Sequence, residues 1–206
     1  MTETQSLKKL TILSFILTFL FLALITYIAS LKEPAFRAVT GKEFINNVNK
    51  CVDYLERSFL TKDQKINRQL IVTKASLESN YGRSRFANEG NNLFGIRMFE
   101  NLEKGMLPDG QPDTIKWRVA KFKSKCDSIK YYINLLNYNH HYEDFRKERE
   151  YQKNNNLNIP TRYFVKLEKY ATNPDYPNLL LRTYLEIYEV KWKFYIRWIN
   201  KITRSN

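Results

Sequence analysis

A long apolar segment near the N-terminus divides this chain into two parts with different physical requirements. The 22 residues from Leu10 to Leu31 carry no charge and are mainly Leu, Ile and Phe. As a helix rising about 1.5 Å per residue, they would cross the roughly 30 Å hydrocarbon core of a membrane. Cleaved signal peptides usually have apolar regions of only about 7–15 residues. Residues 10–31 therefore predict an uncleaved transmembrane anchor, preceded by a short cytoplasmic tail at 1–9.

The rest of the chain is long and apolar enough to form one domain at 41–206, after a tether at 32–40. Hydrophobic residues make up 43% and aromatic residues 15% of the chain, which suffices for a packed core. About +11 of the net charge of +13 follows residue 32 and favours an anionic partner. Because neither a basic helix stripe nor a nucleic-acid reading motif accompanies this charge, we expect no nucleic-acid partner.

Cysteine and histidine are too sparse and too poorly spaced for metal chemistry. Cys51 and Cys126 form no CxxC motif, and His140 and His141 have no third ligand and no accompanying nucleophile motif. We therefore expect no metal, no cofactor and two surface histidines. Two free thiols are the simplest expectation. The cysteines could pair if the domain lies outside the cytoplasm, although nothing in the sequence brings them together.

Hydrophobic periodicity predicts an α+β fold that is mainly α. Predicted helices lie at about 41–59, 62–80, 125–138, 141–153, 159–170 and 177–202. The second of them is expected to end at Gly82 in a left-handed cap. Strand-like pieces at 93–99 and 115–122 flank a turn-rich stretch at 106–113 and predict a small β-hairpin lobe. A cleft is expected between this lobe and the helical body.

Glu78 is the carboxylate whose position best suits acid catalysis. Glycosidic cleavage normally uses one carboxyl that is protonated near neutral pH and a second that is ionised. At helical spacing Glu78 shares the mostly apolar side of its helix with Ile71 and Ala75, and desolvation there would favour the protonated form. On periodicity alone, a surface glutamate near a helix end is the alternative.

The sequence around Glu78 resembles a known enzyme family. The blocks ASLESNYG at 75–82, SRFA at 84–87 and EGNNLFGI at 89–96 closely resemble the signature of the β-N-acetylglucosaminidases of glycoside hydrolase family 73. Further similarity, to the bacterial Bax-type branch of that family, lies in residues 128–149 and in YATNPDY at 170–176. The resemblance extends over most of the predicted domain, from about residue 60 to residue 190.

This resemblance implies a lysozyme-like fold that acts on peptidoglycan, with Glu78 as the proton donor. It implies that Asn91–Gly95 lines the cleft and that its amides bind sugar hydroxyl and acetamido groups; a turn with capping asparagines is the alternative. The residues implied to bind substrate are Tyr81, Asn91, Asn92, Phe94, Tyr170 and Tyr176. Tyr81 could instead belong to the core, and Tyr176 alone would be expected to be a packing residue.

The second carboxylate is less well defined by the sequence. Acidic residues of the predicted β lobe are Glu100, Glu103, Asp109 and Asp113. Glu100 and Glu103 are preferred because they follow the strand that leaves the Asn91–Gly95 block. The stereochemical outcome stays open, since it depends on whether the two carboxyls are about 5 Å or more than about 6.5 Å apart. Participation by the acetamido group of the substrate is a further possibility.

Together these features predict a hydrolase of the β-1,4 bond between N-acetylglucosamine and N-acetylmuramic acid. The enzyme would be single-pass in the bacterial inner or cytoplasmic membrane, with its domain facing the periplasm or the exterior. Its expected partners are glycan strands and, through the N-terminal helix, the membrane; the oligomeric state is left open. A muramidase, a lytic transglycosylase or a non-catalytic wall-binding scaffold are the alternatives.

Overall fold

The computed structural model is mainly helical and describes residues 3–30, 32–38 and 40–190. The α-helices are α1 (Glu3–Ser30), α2 (Gly41–Ser58), α3 (Arg68–Ser79), α4 (Arg85–Glu89), α5 (Lys125–Tyr138), α6 (Glu143–Asn154) and α7 (Tyr176–Ile187). The strands are β1 (Arg97–Met98) and β2 (Arg118–Val119). Short 3-10 helices occupy Lys62–Gln64, Leu102–Lys104, His140–Tyr142, Pro160–Tyr163 and Val165–Tyr170.

The N-terminal helix α1 contains the apolar segment predicted from the sequence. Thr11–Ala29 has a mean hydropathy of 2.5 and is not buried against the described parts of the chain. A helix of this length and composition can cross a bilayer, and a signal sequence near an N-terminus has the same properties.

Helix α2 begins at a capping box and buries one side. The backbone N–H of Glu43 donates to Thr40 Oγ1 at 3.2 Å, and the N–H of Thr40 donates to Glu43 Oε2 at 2.9 Å. Each side chain thus satisfies a backbone donor of the first turn. The apolar side chains that α2 buries at three- and four-residue spacing are Phe44, Val48, Val52 and Leu55. The predicted helix at 41–59 is confirmed.

Helix α3 is shorter than predicted because its start is displaced. The side chain of Asn67 accepts a hydrogen bond from a backbone N–H of the first turn at 3.1 Å and starts the helix at Arg68. Residues 62–64 form a separate 3-10 turn. At the other end Asn80, with φ 49°, takes the left-handed position that we expected at Gly82.

Helix α3 lies at the centre of the domain, packed against α2 and α7. Its buried residues are Leu70, Ile71, Val72, Thr73, Lys74, Ala75, Ser76 and Ser79. Neighbouring elements cover α3 on almost every side. The helix accordingly has no strongly polar side that faces solvent. The last turn of α3, which carries Glu78, is consequently held by the core rather than by a loop.

Cys51 on α2 and Cys126 on α5 form a disulfide, which corrects the expectation of two free thiols. Their α-carbons are 5.2 Å apart, within the range that a disulfide spans, and both side chains are buried. The two cysteines are 75 residues apart in the chain and meet because α2 packs against α5. This contact is tertiary and has no local signal in the sequence.

The β lobe is present but smaller than predicted. Its strands β1 and β2 are antiparallel, with Arg97 opposite Val119 and Met98 opposite Arg118. A single bridge from Met106 to Val119 extends the pairing. The predicted strands at 93–99 and 115–122 are largely loop, because the chain bends on either side of β1 and the ladder stays short. The α+β, mainly α class is confirmed.

The C-terminal part departs from the predicted helices in two places. The segment expected to be one helix at 159–170 is two 3-10 helices. Helix α7 covers the first part of the helix predicted at 177–202, and the portion from 191 onward lies outside the described residues. His140 and His141 are exposed in the 3-10 turn before α6, as predicted.

Candidate active site

The Glu78 carboxylate lies in the last turn of α3, with 21% of its side chain exposed. Its Oε1 accepts hydrogen bonds from Lys74 Nζ at 2.8 Å and from the Tyr176 hydroxyl at 2.5 Å. Its Oε2 lies beside Gly95, where an added Cβ would be 3.7 Å away. The two oxygens therefore differ: Oε1 is held by two donors, and Oε2 points to a backbone position without a side chain.

The cation next to Glu78 is a fully buried lysine. Lys74 lies one turn before Glu78 on α3, and its side chain has no exposed surface. Its Nζ is 3.0 Å from the ring centroid of Tyr170 and 4.4 Å from that of Tyr176. Burial lowers the pKa of Lys74 from 10.5 to about 7, although the neighbouring Glu78 opposes this change. We did not predict Lys74 from the sequence; its spacing of four residues from Glu78 is the signal that could have found it.

Aromatic side chains surround this ion pair. The rings of Tyr170 and Tyr176 are nearly parallel, with centroids 6.2 Å apart, and Tyr132 meets Tyr170 edge to face. The Tyr170 hydroxyl donates to the carbonyl oxygen of Phe94 at 2.5 Å. Burial holds the pKa of Tyr132 and of Tyr170 well above the ordinary value, so both are neutral hydroxyls. The charged pair consequently lies in surroundings of low polarity.

Asn92 holds the loop between α4 and β1 and has no polar atom left for a sugar. Its Nδ2 donates to the carbonyl oxygens of Ile96 and Ala120, at 3.0 Å and 2.9 Å. Its Oδ1 accepts from the N–H groups of Phe94 and Ile96, at 3.2 Å and 3.1 Å. Because an amide side chain has two donor hydrogens and two lone pairs on oxygen, the hydrogen bonds of Asn92 are complete. This corrects our expectation that Asn92 binds substrate.

Asn91 and Phe94 have structural contacts as well. Asn91 adopts φ 53°, and its Nδ2 donates to the carbonyl oxygen of Phe122 at 3.0 Å. Phe94 is fully buried and stacks on Tyr132, with ring centroids 4.3 Å apart, so its ring offers no surface to a sugar. The alternative of a turn with capping asparagines describes these residues better. Within this block, Gly95 is the residue that reaches Glu78.

Tyr81 follows the C-cap of α3, and its described contacts are with α2 and α7 rather than with Glu78. Its ring meets Phe44 edge to face at 6.2 Å, and a Cβ added at Gly41 would be 3.4 Å from it. Its hydroxyl donates to Glu186 Oε1 at 3.4 Å. Of the two roles that the sequence left open, these contacts favour packing over sugar binding.

A cavity of about 470 Å³ adjoins the carboxylate cluster. Gly95 and Tyr170 line it and also belong to the surroundings of Glu78 and Lys74. Phe99 and Tyr131, at 68% and 46% exposure, add aromatic surface to it. Glu78 is not itself a lining residue. The volume lies in the range typical of small-molecule sites, and aromatic rings are surfaces on which the apolar faces of sugars can pack.

The candidate second carboxylates are all exposed. Glu100 follows Phe99 at the edge of the cavity, and Glu103 lies in the neighbouring 3-10 helix. Among the described contacts neither touches Glu78. Of the other two candidates, Asp109 pairs with Arg85 at 2.9 Å, and Asp113 pairs with Arg118 at 3.6 Å. Glu100 keeps the most favourable position for a second carboxylate.

Most of the domain matches a known protein family. Residues 59–189 match the family model of glucosaminidases, described as mannosyl-glycoprotein endo-β-N-acetylglucosaminidase. This match indicates a glycoside hydrolase. The chain belongs to the glucosaminidase family, and the matched residues are nearly those over which we noted the resemblance to family 73.

Two individual relatives can be named. The chain is 31% identical over 121 residues to Protein bax of Escherichia coli strain K12, an alignment that covers 58% of this chain and 42% of that protein. The match therefore spans less than half the length of this relative. The structure is also similar to the catalytic domain of the autolysin Auto from Listeria monocytogenes, with 22% identity, a TM-score of 0.49, and coverage of 76% of this chain and 88% of the other. The predicted Bax-type resemblance is confirmed by the first relative.

Proposed function

We propose that this protein hydrolyses the β-1,4 bond between N-acetylglucosamine and N-acetylmuramic acid in peptidoglycan, with Glu78 as the general acid. The observation that carries this proposal is a part-buried carboxylate held by two donors beside a sugar-sized cavity. Membership of the glucosaminidase family supports the reaction type. The positive charge of the domain favours a polymer that carries peptide carboxylates.

In this reaction Glu78 gives its proton to the glycosidic oxygen while the bond from that oxygen to C1 breaks. A water adds to C1 and loses one proton, so that the bond is replaced by two hydroxyl groups. The absence of a side chain at Gly95 leaves space for the leaving sugar next to Glu78. Glu100 is the candidate that could assist the water, because it follows Phe99 at the rim of the cavity.

We also propose that α1 holds the domain at the bacterial inner membrane, with the domain outside the cytoplasm. The apolar segment Thr11–Ala29 supports the anchor. The Cys51–Cys126 disulfide supports the location, because such bonds persist mainly in oxidising compartments. Tethering would keep the domain at high local concentration beside the wall polymer.

Digestion of purified wall by the full chain in mild detergent, compared with Glu78→Gln, tests the activity. We expect the substitution to reduce release of soluble fragments about a hundredfold or more, because it removes the acid proton. Glu143→Gln, an exposed carboxylate on α6, is the matched control and should digest wall like the parent. Equal digestion by the parent and Glu78→Gln would contradict the role of Glu78.

Mass spectrometry of the fragments decides which bond is cut. Reducing-end N-acetylglucosamine supports the proposal. Reducing-end muramic acid indicates a muramidase, and 1,6-anhydro ends indicate a lytic transglycosylase. Binding to wall without soluble fragments indicates a scaffold.

A further inference from the structure

Lys74 is a buried charged residue in the site to which the proposed reaction assigns no task. A buried ammonium is unfavourable unless it is paired and hydrogen-bonded. The groups that face Lys74 are Glu78 from its own helix, Tyr170 from the 3-10 helix before α7, and Tyr176 from α7. Because Tyr170 is a neutral hydroxyl, Glu78 is the carboxyl partner of Lys74 among the contacts that the structure describes.

The hydrogen bonds of Glu78 distinguish its two oxygens. Oε1 accepts from Lys74 Nζ at 2.8 Å and from the Tyr176 hydroxyl at 2.5 Å. An oxygen with both lone pairs occupied by donors cannot also carry the carboxylic acid proton. Oε2 lies on the side of Gly95, a residue that lines the cavity of about 470 Å³. The proton must therefore reside on the oxygen nearer the cavity.

We propose that Lys74 is a positioning residue for the acid: together with Tyr176 it occupies Oε1 of Glu78 and so makes Oε2 the oxygen that carries and delivers the proton. This inference rests on the proposed role of Glu78 as general acid. When the proton leaves Oε2 for the glycosidic oxygen, the Lys74 ammonium stabilises the carboxylate that remains. Oε2 then takes up one proton as the attacking water releases one, and the acid is restored.

Steady-state kinetics of Lys74→Met on soluble glycan fragments, with kcat and KM measured separately, tests this role. Met has a similar length and no charge. We expect kcat to fall about 10–100-fold, because the carboxyl is less well oriented and its charge less stabilised. KM should change less than about twofold, since Lys74 has no exposed atom with which to touch substrate.

Two further variants complete the test. Lys147→Met, an exposed lysine on α6, is the matched control and should behave like the parent. Tyr176→Phe removes the other donor to Oε1 without removing charge, so it should lower kcat at unchanged KM. It also tests the role of Oε1 if Lys74→Met does not fold.

An unchanged kcat for Lys74→Met would overturn the proposal for Lys74, as would a rise in KM alone. Full activity of Glu78→Gln would instead overturn the proposed function, so the two failures are distinguishable.

Discussion

At the scale of single residues, the ion pair of Lys74 and Glu78 links the chemistry of the site to the stability of the fold. The Lys74 ammonium is desolvated and is compensated by one carboxylate and two aromatic rings. Such an arrangement is costly compared with an apolar residue of the same size. The burial of Lys74 therefore carries a cost in stability.

Stability should therefore depend on pH through Lys74. Burial lowers the pKa of Lys74 from 10.5 to about 7 in the folded protein. Between these values the unfolded chain binds more protons than the folded one, so the free energy of unfolding rises with pH, by up to about 1.4 kcal/mol per pH unit. Below pH 7 both states bind the proton, and the full destabilisation is present.

Urea unfolding of the parent and of Lys74→Met from pH 6 to pH 9 measures this effect. We expect the difference in free energy of unfolding to favour Lys74→Met most at pH 6 and to shrink above pH 7. Groups that are distant from Lys74 contribute equally to both proteins and cancel in this difference. A difference that is constant over this range would show that Lys74 keeps its proton in both states.

At the scale of elements, the loop between α4 and β1 positions a glycine against the Glu78 carboxyl, the proposed general acid. Asn92 holds this loop through four hydrogen bonds to backbone groups of the loop and of the β lobe. Gly95 adopts φ 64°, a conformation that side chains disfavour, and a Cβ there would be 3.7 Å from Glu78 Oε2. The loop thus determines the space next to the Glu78 carboxyl.

Gly95→Ala and Gly110→Ala form a matched pair that tests this control. Both glycines have positive φ, but a Cβ at Gly110 would meet nothing within 4 Å. We expect each substitution to lower the free energy of unfolding by about 1 kcal/mol, because alanine is strained at positive φ. Only Gly95→Ala should also reduce wall digestion, by about tenfold or more, since its methyl group enters the space beside Oε2. Equal activity of the two variants would contradict a role for the space at Gly95.

At the scale of the whole molecule, one core joins helices that are far apart in the chain. Helix α3 packs against α2 and α7, and α2 also packs against α5, where the Cys51–Cys126 disulfide links them. The segments that supply Glu78, Tyr170 and Tyr176 are thereby held in one unit. The site depends on this assembly, because Glu78 and Tyr176 are 98 residues apart in the chain.

Removing the disulfide should destabilise the domain as a whole. The bond joins residues 75 apart, so it restricts the unfolded chain strongly. We expect Cys51→Ala/Cys126→Ala to lower the free energy of unfolding by about 2–4 kcal/mol. Denaturant unfolding with and without a reducing agent measures this. Reductant should destabilise the parent but not the double variant; no effect on the parent would contradict a disulfide in solution.

Local patterns in the chain were sufficient to predict much of this protein. The apolar period of α2 and α5 and the uncharged run in α1 follow from the preferences of neighbouring residues, and each predicted helix is found there. The blocks around Glu78 predicted the family, which the match to residues 59–189 confirms. Predictions failed where local signals compete, as at 62–67, where a 3-10 turn and the Asn67 cap displaced the start of α3.

Contacts between distant segments could only be seen in the folded chain. Asn92 and Phe94 are buried and stabilise a loop instead of facing a sugar. Their partners, Ala120 for Asn92 and Tyr132 for Phe94, come from distant parts of the chain. The pairing of Cys51 with Cys126 likewise depends on a contact between distant segments. The dependence on tertiary contacts is greatest for Lys74, which looks like an ordinary helix lysine in the sequence. Its loss of water, and with it its lowered pKa, exists only because α7 and the preceding 3-10 helix cover it with two tyrosine rings.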